Sequence, residues 1–183
     1  MRPHQPSLLA VPVEPSDHVL GARGAPVTLV EYGDFECPGC KQAAPAVELL
    51  LERFPEEVLF VYRHYPLEEV HPHALAAAEA AESAGAQGKF WPMHKLLFDH
   101  QSHLRLVDLL SYTASLGVDM PRSMAEMADH VYLQRVRGHI SGARRSGVHT
   151  TPAFFVNGTM QDVSIRLSSL FEVAQAVLEA RDQ

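Results

Sequence analysis

Apolar residues recur along this chain in two rhythms, one suited to strands and one to helices, and their order outlines a fold. The first strand signal is Val27 to Tyr32, a β-branched and aromatic run entered through Gly24-Ala25-Pro26 and closed by Gly33-Asp34. From Pro38 the period changes. Ala43, Ala44, Val47, Leu50, Leu51 and Phe54 fall at three- and four-residue steps, which predicts a helix that Pro55 stops. Val58 to Tyr62 is a continuous apolar run of the kind covered on both faces, so it is expected to pair in parallel with the first strand across that helix.

Between Pro66 and Gly147 no convincing strand signal occurs. Helical patterns run instead around Ala74 to Ala84, Met93 to His100, Leu106 to Leu116, Arg122 to His130 and Val131 to Ser146, a block of about half the chain. Ala153 to Val156, then Asn157-Gly158, then Thr159 to Val163 read as a hairpin, because Asn-Gly supplies the positive φ angles of a two-residue turn. Leu167, Leu170, Phe171, Ala174, Val177 and Leu178 define a last amphipathic helix. The order is β-α-β, a helical insert over about 66–147, then β-β-α. This is an α/β class, expected as one domain over 17–183 behind an N-terminal extension over 1–16.

Composition narrows the role. At 183 residues and 46% hydrophobic, the chain can bury the core of one domain. Fifteen basic against 22 acidic residues give a formal charge of −7, and without any Lys or Arg run this argues against nucleic acid as a partner. The extension carries only a four-residue apolar run, Leu8 to Val11, whereas a secretory signal needs about 7 to 15 residues. Ala74 to Ala86 is Ala-rich but interrupted by Glu79, Glu82 and Ser83, well short of the roughly 20 apolar residues of a membrane span. The expectation is a cytoplasmic protein with no membrane partner.

The candidate chemistry lies in the two cysteines, Cys37 and Cys40, three positions apart where the first strand turns into the first helix. So few cysteines make no structural disulfide framework. A helix N-terminus stabilises a thiolate through unpaired N–H groups and the helix dipole, which favours Cys37 as the exposed, reactive sulfur. Pro38 fits the first helical turn, Gly39 adds little bulk between the sulfurs, and Cys40 falls one turn along, more buried. Spacing alone leaves dithiol chemistry and a pair of metal ligands equally open. A zinc site wants about four ligands, and the others would have to come from histidines such as His64, His71 and His73. Those show no ligand pattern and read as solvated loop residues.

Context favours the dithiol. A strand, a carboxylate six residues ahead of the first cysteine (Glu31) and a CxxC that opens a helix resemble the thioredoxin superfamily, as does Pro45 within that helix. Thr150-Thr151-Pro152-Ala153-Phe154-Phe155-Val156-Asn157-Gly158 resembles the superfamily's cis-proline loop and the hairpin after it. The long helical insert, with Tyr32-Gly33-Asp34-Phe35-Glu36-Cys37, Arg63-His64-Tyr65-Pro66-Leu67 and Gly88-Lys89-Phe90-Trp91, is similar to the DsbA-like branch.

The resemblance implies a thioredoxin fold with a helical insertion and a thiol–disulfide oxidoreductase that needs no metal or organic cofactor. Its partners would be protein or small thiols and disulfides, together with an unidentified redox partner. It assigns Cys37, Cys40 and Glu31 to catalysis, and Thr151, Pro152, Pro38 and Gly39 to the substrate surface, with a cis bond before Pro152 and with Glu31 buried beneath the cysteines. Pro38-Gly39 departs from the Pro-His of the strongly oxidising members, which leans the expected direction towards reduction or redox buffering. Two other classes stay in play: a metal-binding module built on the cysteines and histidines, and a noncatalytic redox-switched adaptor or holdase. Trp91 reads as insert core, and Arg144-Arg145 as a helix C-terminus complemented by positive charge.

Overall fold

The computed structural model describes residues 7–162 and 169–181. Strand β1 (His18–Gly21) precedes β2 (Val27–Gly33), α1 (Pro38–Arg53) and β3 (Val58–His64). Five insert helices follow: α2 (Ala74–Gly85), α3 (Phe90–Asp99), α4 (Leu106–Ser115), α5 (Met120–Ala128) and α6 (Leu133–Arg145). Then come β4 (Ala153–Val156), β5 (Thr159–Gln161) and α7 (Ser169–Arg181). The sheet order is β1-β3-β2-β4-β5; β2 and β3 are parallel, and every other pair is antiparallel. This mixed five-stranded sheet with a helical insertion is the thioredoxin fold.

Strand alternation decides what each face of the sheet carries. On β2, Val27 and Leu29 enter one core cluster with Val47 and Leu50 of α1, while Val30 and Tyr32 enter a second cluster with Ala143 of α6. Side chains alternate with period two, so Glu31 falls on the α1 face, in register with Tyr62 of β3. Arg63 falls on the opposite face, over Tyr32. Asn157 and Gly158, with φ of 46° and 82°, make the tight turn from β4 to β5 that their sequence suggests.

Three features differ from the sequence reading. Strand β1 gave no signal of its own: four residues, two of them largely exposed, pair at the sheet edge with β3. Residues 7–16 lie along the domain, with Leu9 N–H donating to Gly158 O and Arg63 binding the carbonyls of Val11 and Pro12. The polar residues that break up the Ala-rich stretch are buried in α2, where Glu79 meets His130, Ser83 donates to Glu126, and Glu82 meets His18, His64 and Arg135. The end of the expected β5, Val163, and the start of the expected last helix, Leu167, lie outside the described residues. Among those described, no helix is long and apolar enough to cross a membrane.

Candidate active site

Cys37 is the N-cap of α1, in extended conformation (φ −77°, ψ 121°), and Pro38 occupies the first turn. No side chain caps this end and its first turn holds no acidic residue, so the unpaired N–H groups are left for the sulfur. Cys37 Sγ lies 3.4 Å from Thr151 O, and Cys40 Sγ accepts from the Asp34 N–H at 3.4 Å. Cys37 is the more open sulfur at 7% exposure against 0% for Cys40, yet both are buried. The exposed nucleophile expected from sequence is thus corrected: the Thr151-Pro152 loop covers it. The Thr151–Pro152 bond is cis. A Cβ on Gly39 would sit 3.0 Å from Pro152 Cδ, so a bulkier residue in the dipeptide has to displace that loop.

The two sulfurs are electrostatically unlike. The Cys37 thiol is lowered to about 5, chiefly by the hydrogen bond from Cys40, with Thr151 and the Cys40 and Gly39 backbone adding to it against burial. Burial pushes Cys40 well above its ordinary value, and Cys37 and Glu31 push it further. Glu31 is 2% exposed and is raised to about 8 by burial first and then by the Cys37 charge, while a hydrogen bond with Cys40 pulls the other way. A low-pKa thiolate, a buried partner thiol and a mostly protonated carboxyl thus act on one another. Such a set can make a mixed disulfide and then resolve it.

Residues that no motif singled out hold the nucleophile in place. Gln101, from the loop after α3, donates through Nε2 to both Phe35 O (2.8 Å) and Cys37 O (2.9 Å). Asp34 accepts from the Glu36 and Leu67 N–H groups and meets His71 Nδ1 at 2.8 Å. Glu36 meets both the N–H and Nδ1 of His73, at 2.7 and 2.8 Å. His71 and His73 are therefore not solvated loop residues but partners of the acids that lead into Cys37. A signal was present: acids at 34 and 36 and imidazoles at 71 and 73 share one two-residue spacing.

Gln101→Met should dull Cys37. Losing two hydrogen bonds, each worth about 0.5–1.5 kcal/mol net, loosens the N-cap and is expected to raise the pH midpoint of Cys37 alkylation by about one unit. An unchanged iodoacetamide profile would mean that Gln101 only tethers its own loop.

A thioredoxin family model matches residues 14–175. The chain belongs to the thioredoxin family. Among solved structures, this chain resembles oxidised BdbD from Bacillus subtilis with a TM-score of 0.83 at 20% identity, over 96% of this chain and all of that one. A thioredoxin-like oxidoreductase from Silicibacter pomeroyi DSS-3 gives 0.77 at 29% identity over 93% and 95% of the two chains. The thiol-disulfide exchange protein alpha-DsbA2 from Wolbachia pipientis gives 0.76 at 17%, over 90% and 88%, so the fold is that of the DsbA-like branch. A curated relative, Na(+)/H(+) antiporter NhaA 1 of Salinispora arenicola, is 52% identical over 163 residues, 88% of this chain and 25% of that protein. The chain spans about a quarter of the length of the curated relatives it matches.

A second group of histidines lies apart from the dithiol. Among the described residues, one group of ligand-type side chains lies close enough to share a cation: His64, Glu82 and His139, with ligand atoms within 4.8 Å of one another. Neither cysteine belongs to it. Arg135 Nε already stands 2.8 Å from Glu82 Oε2, and His139 Nδ1 accepts the His64 N–H at 3.2 Å. The group's charge and a lone pair are thus engaged within the protein.

Proposed function

We propose that this protein exchanges disulfides with extended polypeptides, Cys37 attacking, Cys40 resolving and Glu31 moving the proton. The observation that carries this reading is the split between the two thiols across one buried carboxyl. Cys37 thiolate attacks a substrate disulfide; a Cys37–substrate bond forms and one substrate thiolate leaves. Capture removes the Cys37 charge, which had held up both Glu31 and Cys40. Both then ionise more easily at the moment when Cys40 must give up its proton. Glu31 sheds its own proton to solvent, the resulting carboxylate takes the Cys40 proton, Cys40 attacks Cys37, and the second substrate thiolate leaves with the dithiol's two electrons delivered. The reverse sequence oxidises a substrate dithiol. Substrate backbone would lie beside Thr151 in an edge-strand manner, which suits weak side-chain specificity.

Direction follows from which redox state the protein stabilises. A depressed Cys37 pKa stabilises the reduced form; this contribution is full above the unfolded value of about 8.5 and is lost as pH falls through about 5. Stabilising the dithiol makes the disulfide the better oxidant, so the reading moves from the reducing role suggested by Pro38-Gly39 to a moderately oxidising one. The Cys40 thiol and two backbone N–H groups supply what an imidazole supplies elsewhere. Equilibration with glutathione should place the potential between about −270 mV, the thioredoxin value, and about −120 mV, the DsbA value. A potential at or below the lower bound refutes the oxidising direction, and absence of insulin disulfide turnover refutes the enzyme in favour of an adaptor. Near-stoichiometric zinc in protein purified without chelator would instead favour the metal-binding class.

The partner reading rests on the curated relatives, whose names are those of antiporters. A redox unit working beside a membrane transporter, with its dithiol on the cytoplasmic side, is the arrangement this likeness suggests. Labelling of Cys37 in intact cells by a membrane-impermeant maleimide would overturn the cytoplasmic placement.

A further inference from the structure

Each resolution step leaves a proton on Glu31, and a group only 2% exposed beneath a fully buried Cys40 cannot hand it directly to bulk solvent. The Cys37 side is covered by Thr151 and Pro152. Glu31 does meet open space in another direction. A cavity of about 320 Å³ runs between α1, α3 and the sheet, with Glu31 and His94 in its lining among the apolar walls of Phe60, Trp91 and Phe98. Its exposed charged residues, Lys41 and Glu48 of α1 and Lys95 and Asp99 of α3, mark the mouth.

Two buried atoms of that lining, Glu31 Oε1 and His94 Nε2, have no hydrogen-bond partner in the protein. A purely apolar cavity stays dry, but convergent polar atoms give water the two to four partners it needs, and the volume is roughly ten times the 30 Å³ share of one water in the liquid. We propose that this cavity is the proton port of the buried thiol–carboxyl pair, with His94 as the positioning residue that orders its innermost water beside Glu31. The proposal rests on the reading of Glu31 as the base for Cys40. In balance, Cys40 gives its proton to Glu31 as the Cys37–Cys40 bond forms, and Glu31 gives the same proton to cavity water and so to solvent. The groups acting on Glu31 are the two cysteines and the Tyr62 phenol of β3; His94 of α3 shares its cavity, with Lys41, Glu48, Lys95 and Asp99 at the mouth. His94 is itself lowered to about 3 by burial, with His64 and His18 adding to it. It is therefore neutral and orients water rather than carrying the proton.

The test follows the release of glutathione from a Cys37–glutathione mixed disulfide, by rapid mixing across a pH series. His94→Phe removes the polar atom, Ala44→Leu fills the α1 wall of the cavity, and His94→Gln keeps a hydrogen-bonding group. Both of the first two should slow release about tenfold at pH 7 and move its pH midpoint up about one unit, because a drier carboxyl ionises less readily. His94→Gln should stay near wild type, and Cys37 alkylation should be unchanged in all three. Wild-type rates and midpoint in His94→Phe and Ala44→Leu, alongside a slow Glu31→Gln, would overturn the port and leave the role of Glu31 standing. A wild-type Glu31→Gln would remove both. A His94→Gln variant as slow as His94→Phe would show that His94 acts through packing and would overturn its assigned role.

Discussion

Cys37→Ser is expected to abolish disulfide exchange, with insulin turnover falling on the order of a thousandfold or more, because serine offers no anion near neutral pH to replace the thiolate. Cys40→Ser should fail differently. Its first step is intact, since α1 still places Cys37 at the helix start, but nothing resolves the product, so protein–substrate adducts should accumulate on non-reducing gels. The hydrogen bond from Cys40 is the chief reason for the low Cys37 pKa, so in Cys40→Ser the hydroxyl must stand in as donor. Alkylation of Cys37 should then keep a midpoint well below the ordinary thiol value of about 8.5. Finding Cys40 to be the faster-reacting thiol in the wild-type protein would reverse the assignment.

Arg63→Ala should cost about 3–5 kcal/mol of stability, the range for breaking a buried ion pair from one side. For a domain of this size that corresponds to a fall in Tm of roughly 10 °C. Arg63 is 2% exposed and grips Asp17 with two bonds, Nε to Oδ1 at 3.0 Å and Nη2 to Oδ2 at 2.7 Å. It also donates to Val11 O, Pro12 O and the Tyr32 hydroxyl. Truncation strands all of these acceptors and leaves the Asp17 carboxylate buried without its cation. Burial raises Asp17, but Arg63 outweighs it and holds the carboxyl below its usual range. Stability from a depressed carboxyl is present above the unfolded value of about 3.9 and lost as pH falls through the folded one, so the deficit should narrow below about pH 4. Urea titration at pH 7 checks the magnitude; a loss under about 1 kcal/mol would mean that water replaces the pair.

Much of the scaffold was legible because its signals are local. Val27 to Tyr32 and Val58 to Tyr62 are buried on both faces and so read as apolar runs, and the insert helices kept their period despite the acids within α2. The cysteines and Glu31 were legible as well, since strand alternation and a helix start fix where they point. What escaped has long-range causes. Strand β1 exists because β3 offers an edge, which four residues cannot announce. Arg63 and Asp17 are 46 positions apart, and their pairing depends on Arg63 facing away from α1. Gln101 reaches Cys37 only after α2 and α3 have folded back over the sheet, and the imidazoles at 71 and 73 find their acids only when two loops meet.

Glu82 has a bearing on inheritance. One carboxylate on α2 holds His18 of β1, His64 of β3 and Arg135 of α6, so the insertion and the sheet share a buried keystone of charge. Recombination that removed the insertion would leave His18 and His64 without their shared carboxylate, and recombination that moved it elsewhere would leave Glu82 with Arg135 but without either imidazole. The module is expected to travel between genes entire. The likeness to the Salinispora antiporter is of that kind: it extends over 88% of this chain, too much for the insertion to have been left behind.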